Sequence, residues 1–179
     1  MIKSLIAVSI LFLVAACTQT EGNHFSELAL QGKQVFEKHN CGGCHNITGS
    51  LSDSLAPDLT DPIIANDSLF VQTHLKFVQE SKMPPQNLTP KEIRLVSYYI
   101  AGLYSSTLPP IPKKEVDAYD AVCFAPVSKE KAKSANLYVR YLGTEYYFAS
   151  QRTMDTFKEA PEAYAMLYKK YQQDKKELN

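Results

Sequence analysis

Cys41-Gly42-Gly43-Cys44-His45 sets two thiols three residues apart and an imidazole directly after the second. This spacing suits covalent attachment of one haem c. Each thiol can form a thioether to one vinyl group, and the adjacent imidazole of His45 is then delivered to one axial face of the iron. Gly42 and Gly43 add no side chain between the haem edge and the backbone. Two other uses of C-x-x-C compete. A redox dithiol wants a preceding βαβ unit, and a zinc site wants a second ligand pair nearby; neither pattern accompanies Cys41 and Cys44. A single C-x-x-C-H also argues against a dihaem peroxidase.

An electron-transferring haem wants a second axial ligand, often Met, which raises the reduction potential. Of the four methionines, Met1, Met83, Met154 and Met166, only Met83 lies between the haem motif and a later proline-rich stretch. It sits in Ser81-Lys82-Met83-Pro84-Pro85, where two prolines break any helix and stiffen the loop. His74 competes for the role, on a helix predicted over 67–80. His24 and His39 precede the motif and read as surface residues.

The flanking residues supply a frame. Ser26 to Asn40 reads as a helix leading into the motif, with Leu28, Val35 and Phe36 on its apolar positions. Thr89-Pro90-Lys91-Glu92 is a capping box with Pro at the first helical position. It opens a helix to Leu103 with Ile93, Val96, Ile100 and Leu103 on one stripe. Residues 26–104 resemble a class I monohaem cytochrome c, an all-α haem domain. The resemblance implies that Gly32 marks a close helix crossing and that Tyr99 packs on the first helix. It also implies a role for Leu55-Ala56-Pro57-Asp58-Leu59-Thr60, similar to the family's G-P-x-L segment. There the carbonyl of Pro57 accepts the N–H of His45, orienting the ring and making it a better donor. Ala56 stands where the family has Gly.

Residues 105–115, Ser-Ser-Thr-Leu-Pro-Pro-Ile-Pro-Lys-Lys-Glu, read as a stiff extended connector. Composition then shifts, with eight of the eleven tyrosines from Tyr119 onward. Leu137, Val139 and Tyr141 alternate with Tyr138 and Arg140 as in a strand, and Tyr146 to Ala149 reads as its hairpin partner. Met154 to Tyr171 reads as helical with a restart at Pro161, and 172–179 as a charged, fraying tail. Asp120-Ala121-Val122-Cys123 and Gly143-Thr144-Glu145-Tyr146-Tyr147-Phe148-Ala149-Ser150, followed by Phe157, Pro161 and Tyr164, resemble a YHS domain, a small α+β metal-binding module. The expected unit spans 116–171. Metal-holding members of that family place cysteines where this chain has Ala149 and Thr153, and their C-G-M is here Cys123-Phe124-Ala125. The expectation is a retained fold with its usual site lost, and Cys123 a buried thiol.

The first sixteen residues read as an export signal. A short positive start precedes an apolar run from Leu5 to Ala16, too short to span a membrane. Val14-Ala15-Ala16-Cys17 resembles the lipobox of bacterial lipoproteins, which implies lipid on Cys17, residues 17–25 as a tether and a place in the cell envelope facing the periplasm. Acyl chains contribute about 0.8 kcal/mol per buried CH₂ to such anchoring. Lys+Arg and Asp+Glu balance at 19 each, so bulk electrostatics argue against nucleic acid as a partner. Together these features predict a lipid-anchored electron carrier, not an enzyme, with a redox protein as partner. Two alternatives stay open: a copper-linked, metal-handling lipoprotein using Cys123, with a copper enzyme as partner, and a haem sensor or enzyme with a labile sixth ligand.

Overall fold

The computed structural model describes residues 25–49, 56–77 and 83–178. The signal sequence, Cys17, His24, Leu55, Ser81 and Lys82 lie outside the described residues, as do 78–80 of the predicted helix over 67–80.

Among the described residues, four α-helices build the first unit. α1 (Glu27–Lys38) starts where the Ser26 hydroxyl accepts from Ala29 N at 3.2 Å, satisfying a donor that the first turn leaves free. α2 (Pro62–Ala65) is one turn, and α3 (Ser68–Lys76) is capped by Asp67, whose Oδ1 accepts from Leu69 N and Phe70 N at 3.0 Å each. α4 (Pro90–Ser105) opens with the full capping box: Thr89 accepts from Glu92 N while Glu92 accepts from Thr89 N. It runs two residues beyond the Leu103 expected from sequence.

α1 and α4 pack face to face. A Cβ on Gly32 would stand 1.8 Å from the Leu95 carbonyl oxygen and 2.9 Å from Tyr99 Cβ, so only glycine lets the helices approach this closely. Tyr99 fills the crossing between Phe36, at 5.3 Å edge-on, and Phe25, at 5.8 Å. Such pairs add about 0.5–1.5 kcal/mol each beyond burial.

The connector is less extended than its prolines suggest. Thr107 N and Leu108 N bond back to Tyr104 and Ser105, continuing the helical turn, and Lys113–Glu115 form a 3₁₀ turn. The second unit begins with β1 (Ala118–Tyr119), antiparallel to β2 (Pro126–Val127). α5 (Lys129–Ser134) leads to a hairpin of β3 (Tyr138–Tyr141) and β4 (Thr144–Tyr147). Leu142 (φ 48°) and Gly143 (φ 79°) form its two-residue turn. The returning strand therefore starts two residues earlier than the expected Tyr146–Ala149. α6 (Gln151–Glu159) and α7 (Pro161–Lys176) complete the unit. The fold is an all-α unit followed by a small α+β unit.

One hydrophobic core crosses the boundary between them. Cys123, Phe124, Ala125 and Tyr171 share a cluster with Leu28, Val96, Tyr98 and Ile100. Phe124 has a left-handed φ of 56°, which costs roughly 1–2 kcal/mol for a residue with a side chain. Its ring lies 4.7 Å from Tyr98 of α4 and 4.6 Å from Tyr171 of α7, and it is 1% exposed. Burying a Phe contributes about 1.5–3 kcal/mol, and two ring pairs add to it, so packing outweighs the strain.

The expected fraying tail is instead docked. α7 continues through 172–176, and Asp174 is only 3% exposed. Its carboxylate accepts from Arg94 Nε (2.8 Å), Arg94 Nη2 (3.0 Å) and the Tyr98 hydroxyl (2.9 Å), all on α4. Composition suggested a solvated end; a buried fork of donors from the other unit holds it.

Candidate haem site

The end of α1 sets the geometry. Asn40 adopts φ 52°, and the chain enters a 3₁₀ turn at Cys41–Gly43 that is closed by His45 N bonding to Cys41 O at 3.0 Å. Gly43 has little room for a side chain, since a Cβ there would sit 2.8 Å from the Asn40 amide. Both thiols are unpaired by disulfide, with Cys41 half-buried and Cys44 exposed. Burial pushes the Cys41 thiol above its ordinary range. An activated redox cysteine shows the opposite, a lowered thiol pKa.

His45 Nδ1 lies 2.9 Å from the Pro57 carbonyl oxygen. A carbonyl only accepts, so Nδ1 carries the hydrogen and Nε2 keeps its lone pair for a metal. A lattice of short bonds fixes the two strands of this contact. Leu59 N donates to Asn46 O (2.8 Å), and Asn46 Nδ2 to Asp58 Oδ2 (3.0 Å). Asp58 Oδ1 in turn accepts from Thr60 N (2.8 Å) and Thr60 Oγ1 (2.7 Å). The Thr60 bonds hold the Asp58 carboxyl below its ordinary range. Sequence reasoning passed over Asn46 and Asp58. Their signal was the short polar pair Asp-x-Thr, which commonly folds into a side-chain-capped turn.

A largely apolar cleft of about 550 Å³ lies beside this turn. Cys41, Cys44, His45, Pro57 and Met83 all line it, as do Ala56, Leu59, Phe70 and Pro84. Met83 is half-buried, and its loop is tied by Gln86 Nε2 donating to the Pro84 carbonyl at 3.1 Å. His74, the competing ligand, lines the same cleft from α3, stacked near Phe70 at 6.1 Å. Pro85 is exposed and does not line it.

His39 departs from the sequence expectation. Its side chain is only 18% exposed, lines the cleft, and holds a buried Nε2 without a hydrogen bond, 3.6 Å from Glu92 Oε1. The packing of α1 on α4 brings this residue against Glu92, a contact that its place at the end of a helix does not reveal. Glu92 also pairs with Lys38 at 2.8 Å. Lys38 first, then Thr89, lowers the Glu92 carboxyl from an ordinary 4.5 to about 2. A carboxyl lowered by folding stabilises the fold above its ordinary pKa and loses that contribution on protonation. Thermal melting should therefore weaken as pH falls from 4.5 towards about 2, and Glu92→Gln should flatten that part of the profile.

In the second unit, Cys123 is fully buried, and burial first, then the Asp120 carboxylate, pushes its thiol far up. The loop around it is organised by Asp120. That carboxylate accepts from Val122 N (2.7 Å), Cys123 N (3.1 Å), Ala149 N (2.8 Å) and Thr153 Oγ1 (2.6 Å). The two positions where cysteines would complete a metal set thus serve a buried carboxylate. Among the described residues no group of three or more His, Cys, Asp or Glu could hold a metal ion.

A cytochrome c family model matches residues 29–103, and a YHS domain model matches 119–168. Searches of curated proteins and of solved structures give no match. The first match supports covalently bound haem c and an electron-carrier role, and the second links its domain to metal handling. Two thiols, an imidazole with a free Nε2 and a thioether, gathered on one apolar cleft, fit a haem c. The chain contains a cytochrome c domain over residues 29–103 followed by a YHS domain over 119–168.

Proposed function

We propose that this protein is a monohaem c-type cytochrome, lipid-anchored through Cys17, that carries electrons in the bacterial cell envelope on its periplasmic side. The observation that carries the reading is the convergence of Cys41, Cys44, His45 and Met83 on one cleft, with His45 Nδ1 committed to the Pro57 carbonyl. When bound, the haem supplies a one-electron ferrous–ferric couple.

The protein's residues do the rest. Cys41 and Cys44 hold the group through two thioethers. Pro57 fixes the His45 ring and tautomer and strengthens its Nε2 as a donor. Met83 would supply a thioether ligand to the iron, from a loop stiffened by Pro84 and Pro85. The apolar lining disfavours the extra positive charge of the oxidised state, which raises the potential. If His45 and Met83 both ligate the iron, no position would remain for a substrate, which supports an electron carrier over an enzyme.

The partner is another redox protein of the envelope. Phe70, which lines the cleft from α3, and Phe77, which caps the end of α3, are 48% and 63% exposed and suit a small, transient contact. Such interfaces bury less than about 1,200 Å².

Optical spectroscopy of the haem-loaded protein tests this reading. The wild type should give a low-spin spectrum with a Met–iron charge-transfer band, unmoved by carbon monoxide when reduced. Met83→Ala should abolish the band and admit carbon monoxide. A low-spin spectrum lacking that band, unchanged in Met83→Ala but lost in His74→Ala, would move the ligand to His74. Ready carbon monoxide binding by the wild type would favour a sensor or enzyme instead. Cys17→Ser should release the protein from the membrane fraction.

A further inference from the structure

α3 serves both domains at once. Phe70 and His74 face the proposed haem cleft. Leu69, beside them, packs instead on the YHS core that contains Phe157 and Tyr164. The turn before α3 is gripped by the same domain. The side-chain amide of Asn66, 3% exposed, sits between the Pro62 carbonyl and Arg152 Nε of α6; with its oxygen turned towards Arg152 it accepts from that guanidinium at 3.3 Å, an orientation that also turns its nitrogen to the Pro62 carbonyl. Asp67, the cap of α3, faces the Tyr164 hydroxyl of α7, and burial together with that carboxylate raises the tyrosine's pKa.

A helix of nine residues is too short to hold itself in water, so its position comes from what it packs against. Here a wall of the cleft and the YHS domain share one short element. Further along, Tyr104 of α4 donates to Ser150, the cap of α6, at 3.1 Å, so the grip is not confined to α3.

We propose that the YHS domain is the brace of the haem cleft: Arg152 and Tyr164, with Leu69 seated in its core, fix the start of α3 and so keep that wall of the cleft in place. Holding the wall rigid keeps the protein ligand bound and excludes small exogenous ligands. This assigns the second domain a positioning role, and it rests on the carrier reading above.

The test uses the full haem-loaded chain with Arg152→Ala, Tyr164→Phe and Leu69→Ala combined. Carbon monoxide should bind the reduced variant at least tenfold faster than the wild type. Hydrogen exchange of the amides from Val71 to Lys76 should also speed at least tenfold. Tyr164→Phe alone, which keeps the ring, should speed exchange about threefold, and it stands in if the combined variant fails to fold. Val127→Ala, in the separate cluster with Ala118, Ala132 and Tyr147, should lower the melting temperature and change neither reading. Wild-type exchange and carbon monoxide resistance in the combined variant would overturn the brace, as would equal effects from Val127→Ala. If the wild type itself binds carbon monoxide, the carrier reading fails. The exchange of α3, which needs no sixth ligand, then decides the brace by itself.

Discussion

Gly32→Ala is expected to destabilise the cytochrome c domain by about 3 kcal/mol or more, enough to deplete its folded state. Two effects oppose each other. Alanine inside a helix gains about 1 kcal/mol over glycine from backbone entropy. Against this, the new Cβ would lie 1.8 Å from the Leu95 carbonyl oxygen, and a backbone atom on a packed helix cannot swing aside as a long side chain can. α1 and α4 must separate, which opens the seam around Tyr99 and displaces the Cys41 turn at the end of α1. The clash therefore wins. Gly42→Ala is the contrast: its Cβ would meet Phe36 Cε1 at 3.5 Å, an ordinary contact, and should be near neutral. Thermal melting of the two variants, with covalent haem content read alongside, checks both. Equal stability of the two would refute the crossing as the constraint.

Arg94→Met should have the second largest effect, about 3 kcal/mol, because it strands the Asp174 carboxylate. The side chain of Asp174 is 2% exposed, while that of Arg94 is 19% exposed. Lys170 Nζ, 3.6 Å away, and the Tyr98 hydroxyl compensate only in part. The melting temperature should fall by roughly 6–12 °C. The pH dependence gives an independent check. Burial alone would raise the Asp174 carboxyl; the bonds from Arg94 and Tyr98 outweigh it, so the carboxyl lies below its ordinary range. Its contribution is then complete above the ordinary pKa of about 3.9 and lost as pH falls below it. Without Arg94, burial dominates and the carboxyl moves up, so Arg94→Met should become acid-sensitive at higher pH than the wild type. An unchanged acid limb would mean that Arg94 does not govern this carboxylate.

The chemistry-bearing residues were legible because they are local. Cys41, Cys44 and His45 are fixed by spacing alone, and Thr89 to Glu92 carries its own helix start within four residues. The α1 and α4 faces follow from periodicity, and the β3–β4 hairpin from its alternating runs, although its two-residue turn and the early start of β4 at Thr144 do not. Pro57 was approached only through likeness to a family segment; the 2.9 Å contact with His45 spans twelve residues and depends on the Asn46–Asp58 bonds that close it.

Long-range packing decided the remainder. His39 looks like a surface residue at a helix end, until α4 covers it and brings Glu92 to its ring. The last residues look like a solvated tail, until Arg94 and Tyr98, about eighty positions earlier, enclose Asp174. Phe124 occupies a left-handed position that no propensity would assign to phenylalanine, and only the rings of Tyr98 and Tyr171 explain it. Sequence by itself determined the Cys41-to-His45 motif and the order of the two family likenesses along the chain. Tertiary structure decided that the two domains share a core and a helix, because burial and pairing between distant residues leave no periodic trace along the chain.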